Sequence, residues 1–482
     1  MQKQLFLLLA ILMMAAACRV QKPIQSSSPS NSEVPPLAVA PVIEVPIPTN
    51  KDVVNTSSNI SAITKADKTI ASKANAAIFN KSAFAPAHVG ICIYDYDKKK
   101  YIYNYQDTKY FVPASNTKIF TCYAALKNLK DSLVAFEYLQ GDDNITVRFT
   151  GDPTFLHNNF KQQTAYNYLQ QNADKITIVS PRWHAAAFGD GWAWNDFDAD
   201  YMPERSAMPI YGNVVTFERK GNAIKSMPKS FKDSLNIFAN TAEGDFAINR
   251  DKNDNYFDVV KSNKKFTSVQ IPFTVKKNLE DVSLHLLEDT IHHTLQFASA
   301  INDDNAGWKK FYAQSTDSML KKMMHESDNF FAEQTLLMVA NEKIGIMDDD
   351  KIITNLLQSD FADLPQKPKW VDGSGLSRYN LMSPKDFVWV LTQIKNEFAW
   401  DRIQAIFPTG DDGTLAGLYK NYAGKIYAKT GTLSNTVAIS GFITTNKGKS
   451  LIFSVLVNAH QSSASVIRKS IEQLLSNIIE TY

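Results

Sequence analysis

Cysteine is scarce in this chain, with three in 482 residues, at Cys18, Cys92 and Cys122. That excludes a disulfide-stapled scaffold and a cysteine-rich zinc module. Histidine is scarce as well, at eight residues. His325-Glu326 lacks the second histidine of a His-Glu-x-x-His motif, because Asn329 stands in its place. His292 and His293 are consecutive and would point in different directions on a helix. No metal site and no cofactor are expected. An excess of either charge is missing too: 51 basic residues face 49 acidic ones, for a net charge of +2. Neither a nucleic acid nor a strongly anionic partner is implied. Finally, no apolar run reaches the ~20 residues that a membrane-spanning helix needs.

What is present divides the chain into unequal parts. Lys3 precedes an apolar run from Leu5 to Met14, and Ala15-Ala16-Ala17-Cys18 follows it. Residues 1–18 read as a signal peptide. The small residues before Cys18 resemble a lipoprotein cleavage site that would leave Cys18 as a lipidated first residue. Leucine is usual where Ala15 stands, so cleavage without lipid is the alternative. Seven of the 19 prolines lie between Pro23 and Pro48, among Ser26, Ser27, Ser28, Ser30 and Ser32. Residues 19–75 therefore read as a disordered tether, since such a composition buries no core. The expected location is the cell envelope or periplasm, with membrane contact through a lipid anchor only, or else export as a soluble protein. The remaining ~400 residues suffice for two or three domains, and 44% hydrophobic and 11% aromatic content supply their cores. Cys92 and Cys122 read as buried free thiols, although export would permit a bridge.

Three short motifs carry the chemistry: Ser115-Asn116-Thr117-Lys118, Ser327-Asp328-Asn329 and Lys429-Thr430-Gly431. Ser-x-x-Lys alone is weak, expected by chance at on the order of 0.5% of positions, and it recurs from Ser226, Ser262 and Ser318. Context separates Ser115. Pro113-Ala114 ends an extended stretch, and Ile119, Phe120, Cys122, Tyr123 and Leu126 then recur at helical spacing, so Ser115 should open a buried helix. Residues three apart share a helical face, which lets Lys118 reach the Ser115 hydroxyl. A serine hydroxyl needs an adjacent base, and lysine serves only when neutral. Its ordinary pKa of about 10.4 must fall, through burial and through a second cation, for which Lys429 is the candidate. Ser327 would then relay a proton to the leaving amine, and Asn329 would bind a substrate amide. Lys429 and Thr430 suit a terminal carboxylate, and Gly431 lets substrate lie against the strand. Backbone N–H groups of Ser115 and Thr432 would hold the oxyanion, each worth roughly 2.7–4 kcal/mol.

The resemblance extends beyond these motifs. Gly151-Asp152-Pro153-Thr154, Gly191-Trp192-Ala193-Trp194-Asn195-Asp196 with Tyr201, and Met324-His325-Glu326 before Ser327 fall in one order along the chain. Asp372-Gly373-Ser374-Gly375-Leu376-Ser377-Arg378, Asp412-Gly413-Thr414-Leu415 and Ala428 to Leu433 follow in that order. Taken together, residues 85 to 460 resemble the D-alanyl-D-alanine carboxypeptidase/endopeptidase family, the class C low-molecular-mass penicillin-binding proteins. The resemblance implies a serine peptidase acting on peptidoglycan peptides, with β-lactam antibiotics as inhibitors. It also implies that Asp196 and Tyr201, with Arg378 opposite, line a subsite for the peptide side chain. The Trp192 and Trp194 pair reads as core. Phe407-Pro408-Thr409-Gly410 departs from the family, which usually shows alanine before that glycine. Residues 220 to 300 match no motif.

The implied fold class is α+β, the penicilloyl-serine-transferase (DD-peptidase/β-lactamase-like) fold, a five-stranded antiparallel sheet flanked by helices. The sequence agrees. Val89–Tyr96 and Tyr101–Tyr105 read as a hairpin, and residues 425–429, 437–445 and 451–458 as a three-strand meander. Ile467, Ile471, Leu474, Leu475 and Ile478 mark one face of a terminal helix. The catalytic domain should occupy residues 76–150 and 306–482, with a β-rich inserted domain at 151–305, since 212 positions separate Ser115 from Ser327. Two rival functions stand against the peptidase. A class A β-lactamase needs a Glu-x-x-Leu-Asn pattern, which is absent. A class C β-lactamase would use Tyr211-Gly212-Asn213 in place of Ser-Asp-Asn. A non-catalytic wall-binding module is the other rival, but such proteins typically lose the serine or the lysine.

Overall fold

The computed structural model describes residues 65–220, 223–238, 246–260, 267–277, 280–299 and 307–482. The export segment, Cys18 and the tether up to residue 64 lie outside the described residues. Both parts of the catalytic sequence meet in one antiparallel sheet. It is built from β1 (His88–Asp95), β2 (Lys100–Tyr105), β3 (Ile426–Leu433), β4 (Thr436–Thr444) and β5 (Ser450–Asn458), in the order β3-β4-β5-β1-β2. The hairpin and the meander are those expected. β3, however, runs past Lys429 to Leu433, because Thr430 to Leu433 pair with Ile439 to Thr436. The whole Lys-Thr-Gly motif therefore sits in a ladder, which holds its backbone straight.

Side chains alternate across a strand, and both faces of this sheet are covered. On β1, Val89, Ile91 and Ile93 join the core beneath α1 (Lys65–Ala74) and α5 (Ala464–Thr481). Cys92 faces the other core, with Phe120 and Tyr123 of α2 (Lys118–Asn128), Phe331 of α3 (Asn329–Ile344) and Phe387 of α4 (Pro384–Glu397). Local chemistry sets the helix starts. The Asp328 side chain accepts from Phe331 N at the α3 N-cap, and α4 opens with a Ser383/Asp386 capping box and Pro384 in the first turn. The expected apolar face of α5 is buried at all five positions. Cys92 and Cys122 are both buried and free, which decides against the bridge.

Two expected boundaries move. The tether was expected to run to residue 75, yet α1 packs from Lys65, with Ile70, Ala74, Ala77 and Ile78 buried against the sheet and α5. These small and apolar residues recur three to four apart, a helical period at the end of a polar, Pro/Ser-rich stretch. The β-rich insertion was expected at 151–305. Its five-stranded sheet in fact joins Gln296–Ala298, Ile176–Val179, Ile145–Phe149, Ser132–Gln140 and Lys309–Ser315, in that order. Strands on both sides of the expected limits thus belong to it. Ser132–Gln140 pairs with two neighbours, and Phe136 stacks on Phe311 with ring centroids 4.8 Å apart, so the sheet starts shortly after α2 ends. Two three-stranded sheets accompany it, one around Val214–Lys220 and one around Phe257–Val260.

The packing of α1 is directly testable. Ile70 is 2% exposed, so Ile70→Ala should lower unfolding stability by about 2–5 kcal/mol in a denaturant titration. Lys68→Ala, at an exposed position on the same helix, should stay within about 0.5 kcal/mol of the parent. Equal, negligible effects would return residues 65–75 to the tether.

Candidate active site

Pro113 delivers the chain to Ala114, which takes a left-handed φ of 49°. Such a conformation costs a non-glycine residue on the order of 1–3 kcal/mol. Ala114–Thr117 then winds as a 3₁₀ turn that passes into α2 at Lys118. Ser115 was expected to open the helix itself and instead stands in this tighter turn. The tighter winding brings residues i and i+3 into eclipse, so Lys118 comes directly over Ser115. Asn116 anchors the turn to the sheet, its Nδ2 donating to Ser440 Oγ at 2.8 Å.

Lys118 is fully buried. Its Nζ lies 3.1 Å from Ser115 Oγ, 2.6 Å from Asn329 Oδ1 and 2.8 Å from the Ser374 carbonyl. Two of these partners are carbonyl-type oxygens that can only accept. A neutral amine has two N–H groups for them and one lone pair left over. The remaining partner is a hydroxyl, which can donate its proton to that lone pair. Burial brings the Lys118 pKa down to about 8, while Asp372, Glu333 and Asp328 pull it upward. Lys429 was expected to help depress Lys118, but burial accounts for the fall. The repulsion falls on the other amine: Lys429 is held well below its ordinary value by burial first, then by Lys118 and Arg468.

Lys429 Nζ donates to Ser327 Oγ at 2.8 Å and to the Thr430 carbonyl at 2.6 Å. Ser327 also has a left-handed φ, 60°. β3 lies so close to the nucleophile turn that a Cβ on Gly431 would stand 2.8 Å from Pro113 O and 3.0 Å from Ser115 N. Gly375 does the same from the other side, where a Cβ would come within 1.9 Å of Ala114 O. Above the turn opens a cavity of about 680 Å³, whose lining includes Ser115, Ser327, Asn329, Thr432, Asp196, Tyr201 and Arg378. Lys118, Lys429, Thr430 and Gly431 lie buried around its floor.

Asn329, expected to bind a substrate amide, lines the cavity; its Oδ1 accepts from Lys118 and its Nδ2 donates one hydrogen to the Tyr201 carbonyl at 2.9 Å, leaving the second for another acceptor. The Trp192 and Trp194 pair is not core: Trp194 is 72% exposed, and half-buried Trp192 donates to Asp372 Oδ2 at 3.0 Å. The stretch instead walls the cavity, through Gly191, Ala193, Asn195 and Asp196. Tyr201 hydrogen-bonds to Asp196, and burial with that carboxylate raises its pKa to about 12. Both terminal nitrogens of Arg378 reach the Ser434 carbonyl at 3.3 Å. Tyr211-Gly212-Asn213 lies away from the cavity, with Asn213 Nδ2 bonded to Glu204 O and Ser206 Oγ. Ser226 and Ser318 do not line it either. His325 pairs with Asp412 at 3.1 Å. Among the described residues no group of three or more His, Cys, Asp or Glu is placed to hold a metal ion.

A second layer surrounds these groups, of which the sequence offered Asp372 without a role and neither Glu333 nor Arg205. Asp372 organises the loop behind Lys118: Oδ1 accepts from Gly375 N at 2.8 Å and Oδ2 from Ser377 N at 2.6 Å. Glu333 Oε1 accepts from Ser374 N at 2.7 Å, and Arg205 Nη1 reaches Glu333 at 3.3 Å and Asp349 at 2.6 Å. Burial and Asp372 push Glu333 up to about 7 against the pull of Arg205. Glu333 lies four residues after Asn329, one helical turn on, and that spacing was the available signal. Arg205 had none, since only the fold brings it to α3.

The model of a family described as D-Ala-D-Ala carboxypeptidase 3 (S13) matches residues 71–478. D-alanyl-D-alanine carboxypeptidase DacB of Haemophilus influenzae is 24% identical over 396 residues, spanning 72% of this chain and 80% of that protein. The crystal structure of penicillin binding protein 4 (dacB) from the same organism superposes with a TM-score of 0.66 at 21% identity, covering 86% of this chain and 99% of that one. A complex of that protein with a β-lactam gives 0.62 at 19% identity, with the same coverage. The structural likeness bears out the expected fold class.

The Lys118 geometry carries a pH prediction. Below its pKa of about 8 the amine is protonated and has no lone pair for the Ser115 proton. Labelling of Ser115 by a fluorophosphonate should therefore rise with pH, with a midpoint near that value, and level off above it. Lys118→Arg keeps the charge but cannot deprotonate and should label poorly at any pH. A midpoint at the ordinary lysine value, or full labelling of Lys118→Arg, would remove Lys118 as the base.

Proposed function

The chain belongs to the D-Ala-D-Ala carboxypeptidase 3 (S13) family, and from that premise we propose that it is a serine peptidase of peptidoglycan. It removes terminal D-alanine from stem peptides and opens D,D-cross-links between them, one Ser115 acyl-enzyme serving both reactions. The observation that carries this reading is the contact of buried Lys118 Nζ with Ser115 Oγ at 3.1 Å, its other two partners being oxygens that only accept.

The steps follow from those contacts. Ser115 Oγ attacks the carbonyl carbon of the penultimate D-alanine while its proton passes to Lys118. The tetrahedral oxyanion is held by the N–H groups of Ser115 and Thr432. Ser327, in contact with Lys429, delivers a proton to the leaving amine as the C–N bond breaks, and the proton that Lys118 took replaces it, so that Lys118 is neutral again. Water then attacks the ester, giving its proton to Lys118, which passes it to Ser115 Oγ as the ester C–O bond breaks. In a cross-link the leaving group is the side-chain amine at the D-centre of a diamino acid, and a whole second peptide departs with it. The wide cavity, walled by residues 191–201 from the inserted β-rich lobe, supports that larger leaving group. Asp196, Tyr201 and Arg378, which line it, are the subsite for the peptide side chain. β-Lactams, one of which the neighbouring structure holds, inhibit by acylating the same serine. The Ala15-Ala16-Ala17-Cys18 site and the Pro/Ser tether support a lipoprotein of the cell envelope.

A fluorescent penicillin should label the protein at Ser115 and stay attached for minutes or longer, and Ser115→Ala should abolish the label. Rapid hydrolysis of the drug would favour a β-lactamase. On muropeptides followed by mass spectrometry, pentapeptide monomers should lose D-alanine and cross-linked dimers should separate. Uncut dimers beside trimmed monomers would restrict the enzyme to carboxypeptidase action. Extraction of the native protein should need detergent, and Cys18→Ser should release it. Soluble parent protein with a mature N-terminus elsewhere would sink the anchor.

A further inference from the structure

The Ser374 carbonyl is one of the two oxygens that occupy the N–H groups of Lys118, so its direction helps decide where the lone pair of the amine points. The peptide units on both sides of Ser374 are pinned. In the unit before it, the Gly373 carbonyl accepts from Thr121 Oγ1 at 2.6 Å, and Ser374 N donates to Glu333 Oε1 at 2.7 Å. In the unit after it, Gly375 N donates to Asp372 Oδ1 at 2.8 Å, and the Ser374 carbonyl, on the opposite edge of that trans peptide, accepts from Lys118. The loop also lies hard against α3: a Cβ on Gly373 would stand 2.6 Å from Ala332 O and 3.3 Å from Glu333 Cα.

Glu333 brings a charge to this clamp as well as a bond. It is 1% exposed, and a carboxylate buried so far stays ionised only with partners. Its oxygens are divided between two of them: Oε1 takes Ser374 N, and Oε2 takes Arg205 Nη1 at 3.3 Å. Arg205 Nη1 also reaches Asp349, while its Nε and Nη2 donate to the carbonyls of Ala186 and Phe188, just before Gly191 in the cavity wall. The charged groups acting on Glu333 are therefore Arg205 from the β-rich lobe, Asp349 from the helix Asp349–Gln358 and Asp372 from the loop. Lys118 in turn faces Asp372, Glu333 and Asp328, with Lys429 beyond. Glu333 draws the Lys118 pKa upward, and its own pKa of about 7 leaves it mostly ionised where Lys118 loses its proton, near 8.

We propose that Glu333 is a positioning residue for the base: its carboxylate fixes the Ser374 carbonyl against Lys118 and places a negative charge behind the amine, and Arg205 of the β-rich lobe holds it there. This rests on the peptidase reading and deepens it. Glu333 touches neither substrate nor Ser115 and acts only through Ser374 and Lys118. Its two contributions, a bond that sets direction and a charge that sets basicity, respond differently to substitution.

The test is the pH profile of Ser115 labelling by a fluorophosphonate, measured on the full-length protein and two variants. Glu333→Gln keeps the shape and an acceptor for Ser374 N but removes the charge. The protonated amine is then less favoured, so the midpoint should move to lower pH by about one unit, as for the loss of a nearby opposite charge. The plateau rate should fall as well, because a less basic amine is a weaker base. Glu333→Asp keeps the charge but withdraws it by one methylene from Ser374 N. Its midpoint should stay near that of the parent while its plateau falls about 10-fold, as for one lost hydrogen bond to a charged group. If Glu333→Gln does not fold, Glu333→Asp carries the test through its plateau. A parent-like midpoint in Glu333→Gln, or a parent-like plateau in Glu333→Asp, would overturn the assignment. A purely structural role would lower the labelled fraction in both variants and move neither midpoint. Either failure leaves the parent profile and the penicillin label at Ser115 intact, and so leaves the peptidase reading standing. A parent whose labelling ignores pH would overturn both Lys118 as the base and Glu333 behind it.

Discussion

Burying the Lys118 amine beneath Ser115 strips the charged form of its hydration, and the site is arranged around that cost. Desolvation alone would make the amine neutral and indifferent to direction. The two carbonyl-type acceptors, from Asn329 and Ser374, turn its N–H groups away and leave the lone pair for the serine. Asp372, Glu333 and Asp328 limit how far the pKa falls, so the amine remains basic enough to take the proton. A base that burial depressed without this counterweight would be neutral but weak.

Holding that arrangement requires close approach from three directions. β3 comes in over Gly431, the 372–378 loop over Gly375, and α3 over Asn329. Left-handed residues occur where two of the motifs turn, at Ala114 and Ser327. Strain of this kind persists only where surrounding packing over-determines it. Here the packing is the two-sided sheet, with aromatic residues of α2, α3 and α4 on one face and α1 and α5 on the other. The β-rich lobe has its own apolar core and is joined to α3 by polar contacts. Arg205 reaches Glu333, and Tyr201 receives Asn329 Nδ2, so the wall of the cavity and the support of the base share residues. Each of the two buried lysine amines is committed to a different serine.

The legible elements were those whose pattern repeats locally. The apolar runs of β1, β4 and β5, buried on both faces, and the helical face of α5 stood close to their expected places, because each is a continuous local signal. The misplaced limits lie where short runs pair with distant ones. Ser132–Gln140 belongs with Lys309–Ser315, more than 160 positions away, and no local signal reports that pairing. Trp194 misled for a related reason. A tryptophan is usually buried, and its exposure beside the cavity depends on which neighbours the fold does not supply.

Ser115, Lys118, Ser327, Asn329 and Lys429, which the fold brings into contact, could be picked out from the sequence because the proposed chemistry demands residue types at short, fixed offsets, and those offsets survive in one dimension. The sequence by itself determined the kind of reaction, the order of the motifs and the sheet that carries them. Tertiary structure decided what each polar group faces. It set Asn329 against Lys118, and it brought Arg205 to Glu333 and Arg468 to Thr432. Burial and charge pairing are properties of neighbours in space, and for these residues the neighbours lie 36 to 211 positions apart.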